Sequence, residues 1–289
     1  GTATASATQV CPGSPVQLDL TGNSTNNGET YMWESSTSST GPWTSVSGAL
    51  TTPQYTVNPS SNIWYRAAVS CGTGASYSTS VNVTMSGGAS GMYTVDANAT
   101  PGPGVFTSLS SAMATLSCGV TGPLTINIAP NSGPYIEQVT IPTIGGASVT
   151  SPIIINGNGN TLSFAPPSSA KYVLMLDGAD FVTINNLNIP STGSTYGWGI
   201  LFTNGADNNT VINCTVDLNG VTSTTSSNSA GFVISNSTTS GVSAGNNGSY
   251  NKFIGNTVMG GYRSVSFVGN ASGGATGNVL ENNTFQDFY

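Results

Sequence analysis

Few residues in this chain of 289 could do acid–base, nucleophilic or metal chemistry. It contains no histidine, which removes Ser-His-Asp and Cys-His catalytic sites and histidine metal sites. Inverting glycosidases need two carboxylates about 6.5–9.5 Å apart. Asp177, Asp180 and Asp207 fall in predicted turns, but their spacing gives no convergent pair. Because solvated or turn-capping carboxylates are the more common role, we assign no catalytic residue, no metal ligand and no cofactor.

A second set of charges could serve a polysaccharide lyase, which needs a cationic base and a neutraliser of the uronate such as Ca²⁺. Lys252 and Arg263 flank one predicted turn, and Asp217 and Glu281 lie on the neighbouring ones. Isolated charges more often keep a strand face soluble and discourage edge pairing. The sequence therefore favours a protein without catalysis, and a polysaccharide-active enzyme of lyase or esterase type is an alternative.

The elements that would position such groups repeat over the last hundred residues. Four segments begin at Val182, Thr210, Lys252 and Val279 and share one apolar pattern. The first apolar column consists of Ile184, Val211, Phe253 and Leu280, and the second column consists of Leu187, Cys214, Asn256 and Asn283. Repeats of this length indicate a solenoid, and their β-branched composition predicts strands.

Asparagines in the second column predict an inward ladder. In stacked strands an Asn side chain can hydrogen-bond to the Asn one turn above it, which suits Asn256 and Asn283. The alternative is that both are ordinary turn asparagines in the left-handed conformation. Cys214 in the same column is expected to be a small buried apolar group, too far from Cys118 for a disulfide.

A short amphipathic helix is predicted before the strands, where five apolar residues have helical spacing and the helix would cap the first turn. These residues are Phe106, Leu109, Ala112, Met113 and Leu116. With PYIEQVTIP (134–142), IIINGNG (153–159) and the Asn-rich repeats, this order resembles the right-handed parallel β-helix of the pectin-lyase-like superfamily, in the versions found in Bacteroidetes secreted proteins. The likeness covers about residues 92–289. It says little about function, because this scaffold hosts lyases, hydrolases, esterases and non-catalytic adhesins.

The first 86 residues alternate apolar and polar side chains between turn clusters, which predicts a small all-β domain. CPGSPVQL (11–18), YMWESS (31–36), PWTSV (42–46) and YRAAVSC (65–71) resemble the immunoglobulin-like modules of large secreted Bacteroidetes surface proteins. In such a sandwich Cys11 is expected to bond to Cys71 across the two sheets, with Trp33 packed nearby. A disulfide implies an oxidising or extracellular compartment. Residues 87–91 are predicted to be a Gly/Ser linker.

The charge balance limits the partners. Four basic residues stand against eleven acidic ones, for a net charge of −7. Nucleic acids and anionic membranes recruit clustered Lys and Arg, so neither is an expected partner. There is also no run of roughly 20 apolar residues that could insert into a membrane. Glycans are a possible partner, because Tyr196 and Trp198 could stack on sugar rings.

The expectation is an all-β chain at the bacterial cell surface: an immunoglobulin-like β-sandwich followed by a right-handed parallel β-helix with a short N-terminal capping helix. We expect a non-catalytic, extracellular structural or adhesive module of a surface protein or fibre, assembling end to end. The sequence stops straight after a repeat strand, so further domains of the same polypeptide or a second copy are expected to cover that end. A carbohydrate-binding module is the remaining alternative.

Overall fold

A computed structural model of the chain describes residues 1–23, 28–72, 74–270, 272 and 274–288. The chain divides into two compact units, Gly1–Gly88 and Ala89–Tyr289. The first strand of the second unit begins at Ala89, so residues 89–91 of the predicted linker belong to a strand. Those residues are held in the sheet by pairing, for Ala89 with Val120 and Gly91 with Leu124.

The first unit consists of two sheets. Its strands are β1 (Thr2–Ala5), β2 (Gln9–Val10), β3 (Val16–Thr21), β4 (Thr30–Ser36), β5 (Thr44–Ser45), β6 (Tyr55–Val57), β7 (Ile63–Cys71), β8 (Gly74–Tyr77) and β9 (Val81–Met85). One sheet has the order β1-β3-β6, and the other has the order β2-β9-β7-β4-β5 with β8 beside β7. Most neighbours are antiparallel, and β2 and β9 are parallel.

One apolar core joins the two sheets of this unit. Val16 and Leu18 of β3 are buried on one side, while Trp33 of β4 and Ala67 of β7 are buried on the other. The Trp33 indole N–H donates to the carbonyl of Pro53 at 2.8 Å, so the largest core side chain has its polar atom satisfied. The alternation of apolar and polar residues in the sequence therefore predicts correctly that this unit is all-β.

The second unit is a parallel β-solenoid. Its strands are β10 (Ala89–Val95), β11 (Val105–Phe106), β12 (Val120–Ile128), β13 (Tyr135–Ile136), β14 (Val139–Pro142), β15 (Ile153–Asn156), β16 (Leu162–Ser163), β17 (Tyr172–Asp177), β18 (Val182–Asn185), β19 (Asn188–Pro190), β20 (Gly197–Thr203), β21 (Thr210–Ile212), β22 (Thr215–Leu218), β23 (Ser229–Ile234), β24 (Lys252–Ile254), β25 (Thr257–Gly260), β26 (Arg263–Phe267), β27 (Val279–Glu281) and β28 (Thr284–Gln286).

These strands form three stacks. Sheet A has the order β11-β10-β12-β15-β18-β21-β24-β27, sheet B has β14-β17-β20-β23-β26, and sheet C has β19-β22-β25-β28. The pair β13-β16 continues sheet C, through bridges from Thr161 to Asn188 and from Phe164 to Ser191. The chain visits A, C and B in turn. Successive turns begin at β10, β12, β15, β18, β21, β24 and β27, so the described strands make about seven turns.

The predicted helix is present as α1 (Leu109–Ala114), followed by a 3₁₀ turn at Thr115–Cys118. The expectation that the helix precedes the strands of the coil is wrong, because α1 follows β10 and β11 in the middle of the chain. It contacts β14, the first strand of sheet B. Ser108 caps it by accepting from the N–H of Ser111 at 3.1 Å. The Glu137 carboxylate accepts from the N–H groups of Leu109 and Ser110 at 2.8 and 3.1 Å, so this acid belongs to the helix end.

The first apolar column of the repeat stacks as its spacing predicts. Ile184 pairs in register with Val211, Val211 with Phe253, and Phe253 with Leu280. Phe253 is fully buried, and its ring lies 5.3 Å from Phe202, 4.8 Å from Phe232 and 5.1 Å from Phe267 between centroids. The core therefore runs along the coil axis as a continuous column instead of closing into a single globule.

The bend from sheet A to sheet C explains the recurrent asparagines. One residue per turn has a positive φ, at 51° for Asn186, 54° for Asn213, 63° for Gly255 and 54° for Asn282. Asn and Gly tolerate this left-handed conformation at little cost. The next residue then points inward, and these residues are Leu187, Cys214, Asn256 and Asn283. Left-handed and inward asparagines thus occupy adjacent positions of one bend.

Candidate functional site

The outer face of sheet B carries the two aromatic residues expected to contact glycans. Trp198 is 0% exposed and packs with Tyr172, Leu201 and Val233. Its indole N–H donates to the Ser227 carbonyl at 3.3 Å. The expectation of a glycan contact at Trp198 is therefore wrong, because the segment between β22 and β23 covers the ring. Tyr196 is half-buried and is the only one of the two that retains solvent access.

A buried lysine holds that covering segment in place. Lys171 is 7% exposed, and its Nζ donates to Asn228 Oδ1 at 3.0 Å and to the Ser227 carbonyl at 3.2 Å. Nζ also lies 5.1 Å from the centroid of the Tyr196 ring. Burial lowers the pKa of Lys171. Sequence reasoning missed this residue because its partners lie 56 and 57 positions further along the chain.

Asp177 borders a shallow open cavity of about 310 Å³ on the same sheet. Its Oδ1 accepts from the Asn204 amide at 2.5 Å, and Thr203, Asn236 and Thr238 lie around the rim. A carboxylate held by an amide in this way can bind polar groups, but the cavity lining contains no second acid for proton transfer.

Asp180 and Asp207 stabilise the backbone between sheets B and A. Asp180 Oδ1 accepts from the N–H of Asp207 at 2.7 Å, and Asp207 Oδ1 accepts from the N–H of Ser249 at 2.6 Å. Both carboxylates are therefore turn-capping groups stacked along the coil. Desolvation raises the pKa of Asp180, the hydrogen bond from Asp207 opposes this rise, and the Asp207 charge adds to it.

We expect Asp180→Asn to stabilise the solenoid at neutral pH. The amide keeps the Oδ1 acceptor but removes a partly desolvated charge beside Asp207. The pKa of Asp180 is raised on folding. Its negative charge therefore destabilises the folded state at pH values above the ordinary pKa of 3.8, and this effect disappears at lower pH, where the carboxyl is protonated in both states. The free energy of unfolding from urea titrations should therefore be higher in the variant at pH 7, and the difference should shrink below about pH 4. A difference independent of pH would contradict this cause.

The charges considered for a lyase do not come together. Lys252 is exposed in β24 of sheet A, Arg263 belongs to β26 of sheet B, and Asp217 to β22 of sheet C. Glu281 shares sheet A with Lys252, on the neighbouring strand β27. Because the three sheets face different directions around the coil, these residues do not line a common site.

The inward ladder is built from side chains that also satisfy buried backbone groups. Asn256 Oδ1 accepts from the N–H of Cys214 at 2.8 Å, and Asn256 Nδ2 donates to the Val211 carbonyl and to Asn283 Oδ1, both at 3.0 Å. Asn283 Nδ2 donates in turn to the Phe253 carbonyl at 2.8 Å. The ladder therefore links three successive turns.

A second inward ladder, at the bend from sheet B to sheet A, was not recognised in the sequence. Asn209, Asn251 and Asn278 each accept at Oδ1 from the backbone N–H one turn earlier, at 2.9 Å in all three cases. Their amides donate to backbone carbonyls at 2.8, 2.9 and 3.0 Å. These three asparagines are 42 and 27 residues apart, as are Val211, Phe253 and Leu280 of the first apolar column. The shared spacing is the signal in the sequence from which this ladder could have been predicted.

The cysteines differ from expectation. Cys71 is an exposed free thiol, so the Cys11–Cys71 disulfide is not formed. The C-terminal end of β7 extends beyond the core and pairs with β8. All residues of β8 are exposed, and Cys71 at this end of β7 is exposed with them. Cys11 and Cys118 are not free thiols, since each takes part in a disulfide. Cys214 is a buried free thiol as expected, and burial raises its pKa to about 11.

Thiol labelling should separate these four cysteines. With iodoacetamide at pH 8, we expect the native chain to take one label, at Cys71, because Cys214 is buried and its thiolate is scarce at a pKa of about 11. Urea should expose a second site, and reduction the remaining two. Peptide mass spectrometry identifies the sites, and early modification of Cys11 or Cys214 in the folded chain would contradict the assignment.

Metal-ligand clusters and long apolar helices are both absent from the part of the chain that the structure describes. There, no three residues among Cys, Asp and Glu cluster in a way that could hold a metal ion. In the same residues, no helix is long and apolar enough to span a bilayer.

Residues 1–87, which are all but the last residue of the first unit, match a family described as "Domain of unknown function (DUF8696)". No curated protein is significantly similar to the chain. No solved structure is significantly similar to it either.

Proposed function

We propose that the chain is a non-catalytic structural or adhesive module of an extracellular bacterial surface protein or fibre. The observation that carries this proposal is the unbroken stacking of the solenoid, in which side-chain ladders reinforce the parallel strands from turn to turn. Asn256 and Asn251 each bond to the turns before and after them. Such a coil is a stiff spacer, because each turn is held by its neighbours along the axis.

The covered face of sheet B also supports a structural role. Tyr172, Met175, Trp198, Leu201, Ala230 and Val233 form a buried cluster on that face. The chain's own loops cover them, with Lys171 bonding the segment around Ser227 and Thr238 bonding Ser169. Burial of these side chains stabilises the outer face of sheet B. It also leaves no open strand face there to which an extended substrate could bind.

Self-association is part of the proposal. Leu280 continues the buried column of Phe253 but is 42% exposed, and its neighbour Val279 is 41% exposed. A second copy, or further residues of the same polypeptide, would remove this apolar surface from water. Sedimentation of the full chain over a concentration series tests for a second copy. Leu280→Asp is expected to abolish any self-association. Val242→Asp is the control, because it places the same charge at an exposed apolar residue elsewhere on the coil.

The finer features of the expected architecture stay proposals as well. The two-sheet unit is proposed to be immunoglobulin-like, and the coil to be right-handed and of the kind found in Bacteroidetes secreted proteins. The presence of a disulfide is compatible with an extracellular location.

Depolymerisation assays test the absence of catalysis directly. The purified full chain should release no reducing ends or unsaturated products from pectin, polygalacturonate or alginate above a buffer control. Turnover at ordinary enzymatic rates, at or above about 1 per second, would overturn the proposed function. Alanine at both Lys252 and Arg263 would then show whether those two residues carry it.

A further inference from the structure

The first unit contains an arginine arranged as a binding group. The Arg66 guanidinium carbon lies 4.4 Å from the centroid of the Trp43 ring and 4.0 Å from that of Tyr77. Its Nε donates to Glu34 Oε2 at 2.7 Å. Two rings and a carboxylate therefore hold the guanidinium plane in one orientation before any ligand arrives, which lowers the entropy lost on binding.

Arg66 has further donors that the described residues leave unused. Its two Nη groups make no hydrogen bond within the described residues, and the side chain keeps 21% of its surface exposed. They border an open cavity of about 540 Å³, a volume within the range of ligand sites. The rest of its lining is Ser39, Thr40, Trp43, Ser78, Thr79 and Ser80.

Hydroxyl groups dominate this rim. Ser78 Oγ is used by the protein, since it accepts from the N–H of Ala67 and donates to the Thr79 carbonyl. The hydroxyls of Ser39, Thr79 and Ser80 have no partner in the described residues. Such hydroxyls both donate and accept, as sugar hydroxyls do, and a guanidinium can donate two parallel bonds to vicinal oxygens.

Charge argues for a neutral ligand. Glu34 already offsets the Arg66 charge at 2.7 Å, and residues 1–88 carry three carboxylates against this one cation. An anionic ligand would therefore meet little net attraction. Trp43, which also stacks on Arg66, adds an aromatic ring to the cavity lining.

We propose that the Arg66 cavity binds a neutral glycan, whose vicinal hydroxyls accept from the Arg66 Nη groups and bond to Ser39, Thr79 and Ser80. This site is separate from the solenoid and does not depend on the proposed structural role. It would make the first unit the adhesive part of the chain.

Calorimetric titration of the full chain tests this site, with cellohexaose, mannohexaose, xylohexaose and laminarihexaose as neutral probes and hexagalacturonate as the acidic probe. We expect at least one neutral probe to bind with Kd below about 1 mM. Arg66→Lys should weaken it at least tenfold, because a lysine keeps the charge but loses the planar pair of donors. Arg263→Lys, the same substitution in β26, should leave the affinity unchanged.

A second variant protects the test against misfolding. Thr79→Val preserves side-chain shape and leaves the Arg66–Glu34 pair intact, yet it removes one rim hydroxyl. It should weaken binding at least threefold while thermal unfolding stays as in the parent chain. Failure of all four neutral probes to bind would overturn the proposal. Binding of hexagalacturonate alone, or binding insensitive to both substitutions, would also overturn it.

Discussion

Phe253→Ala should lower the free energy of unfolding of the solenoid by about 3–5 kcal/mol, the range for removing a fully buried aromatic side chain. Phe253 is 0% exposed and touches three other rings, from two strands of sheet B on earlier turns and one on its own turn. The cavity cannot collapse easily, because the surrounding strands are held at their spacing by parallel hydrogen bonds on both sides. Urea titration followed by far-UV circular dichroism measures the loss.

Phe288→Ala is the matched control for this experiment. The same ring is removed, but Phe288 is 52% exposed, so less than about 1 kcal/mol should be lost. Equal losses in the two variants would mean that the phenylalanine column is not the core of the coil.

Asn256→Ala should lower the free energy of unfolding by about 2–6 kcal/mol, although it removes only a small polar side chain. The Cys214 N–H loses its acceptor and the Val211 carbonyl loses a donor, both inside the coil, and each unsatisfied buried group costs about 1–3 kcal/mol. The bond to Asn283 is lost as well. The same urea titration measures the effect.

Asn185→Ala is the control for the ladder experiment. Asn185 belongs to a ladder on the outer face of sheet A, where its amide donates to Asn156 Oδ1 at 3.2 Å and the side chain is half-buried. Water can replace this partner, so a loss below about 1 kcal/mol is expected. If Asn256→Ala and Asn185→Ala lower the free energy of unfolding by the same amount, the inward ladder does not stabilise the coil through buried hydrogen bonds.

Periodicity in the sequence predicts the coil well, because a stacked fold places identical intervals in register. Ile184, Val211, Phe253 and Leu280 share a column for that reason, and the interval of 42 residues reflects the long segment between β23 and β24. The helix near Leu109 was recognisable from the helical spacing of its apolar residues.

Features that depend on distant partners could not be predicted. Trp198 looks like an exposed aromatic next to glycines, and only the fold shows that Ser227 covers it. Strict alternation along β7 would turn Cys71 toward the core. The alternation breaks at Ala67 and Ala68, which are both buried, and Cys71 is exposed. The Arg66 stack combines Trp43, Tyr77 and Glu34 from three different segments, so no local motif marks it.

A spin-label distance measurement tests the register of the solenoid most directly. Thr125, Ile154, Thr183, Thr210, Lys252 and Val279 are successive register partners on the outer face of sheet A. Nitroxides at Thr125→Cys and Val279→Cys, with Cys71→Ser to remove the exposed thiol, are five strand spacings apart. Double electron–electron resonance should give one narrow distribution near 24 Å, at about 4.8 Å per strand. A broad distribution, or a mean distance beyond about 40 Å, would contradict a coil of stacked strands.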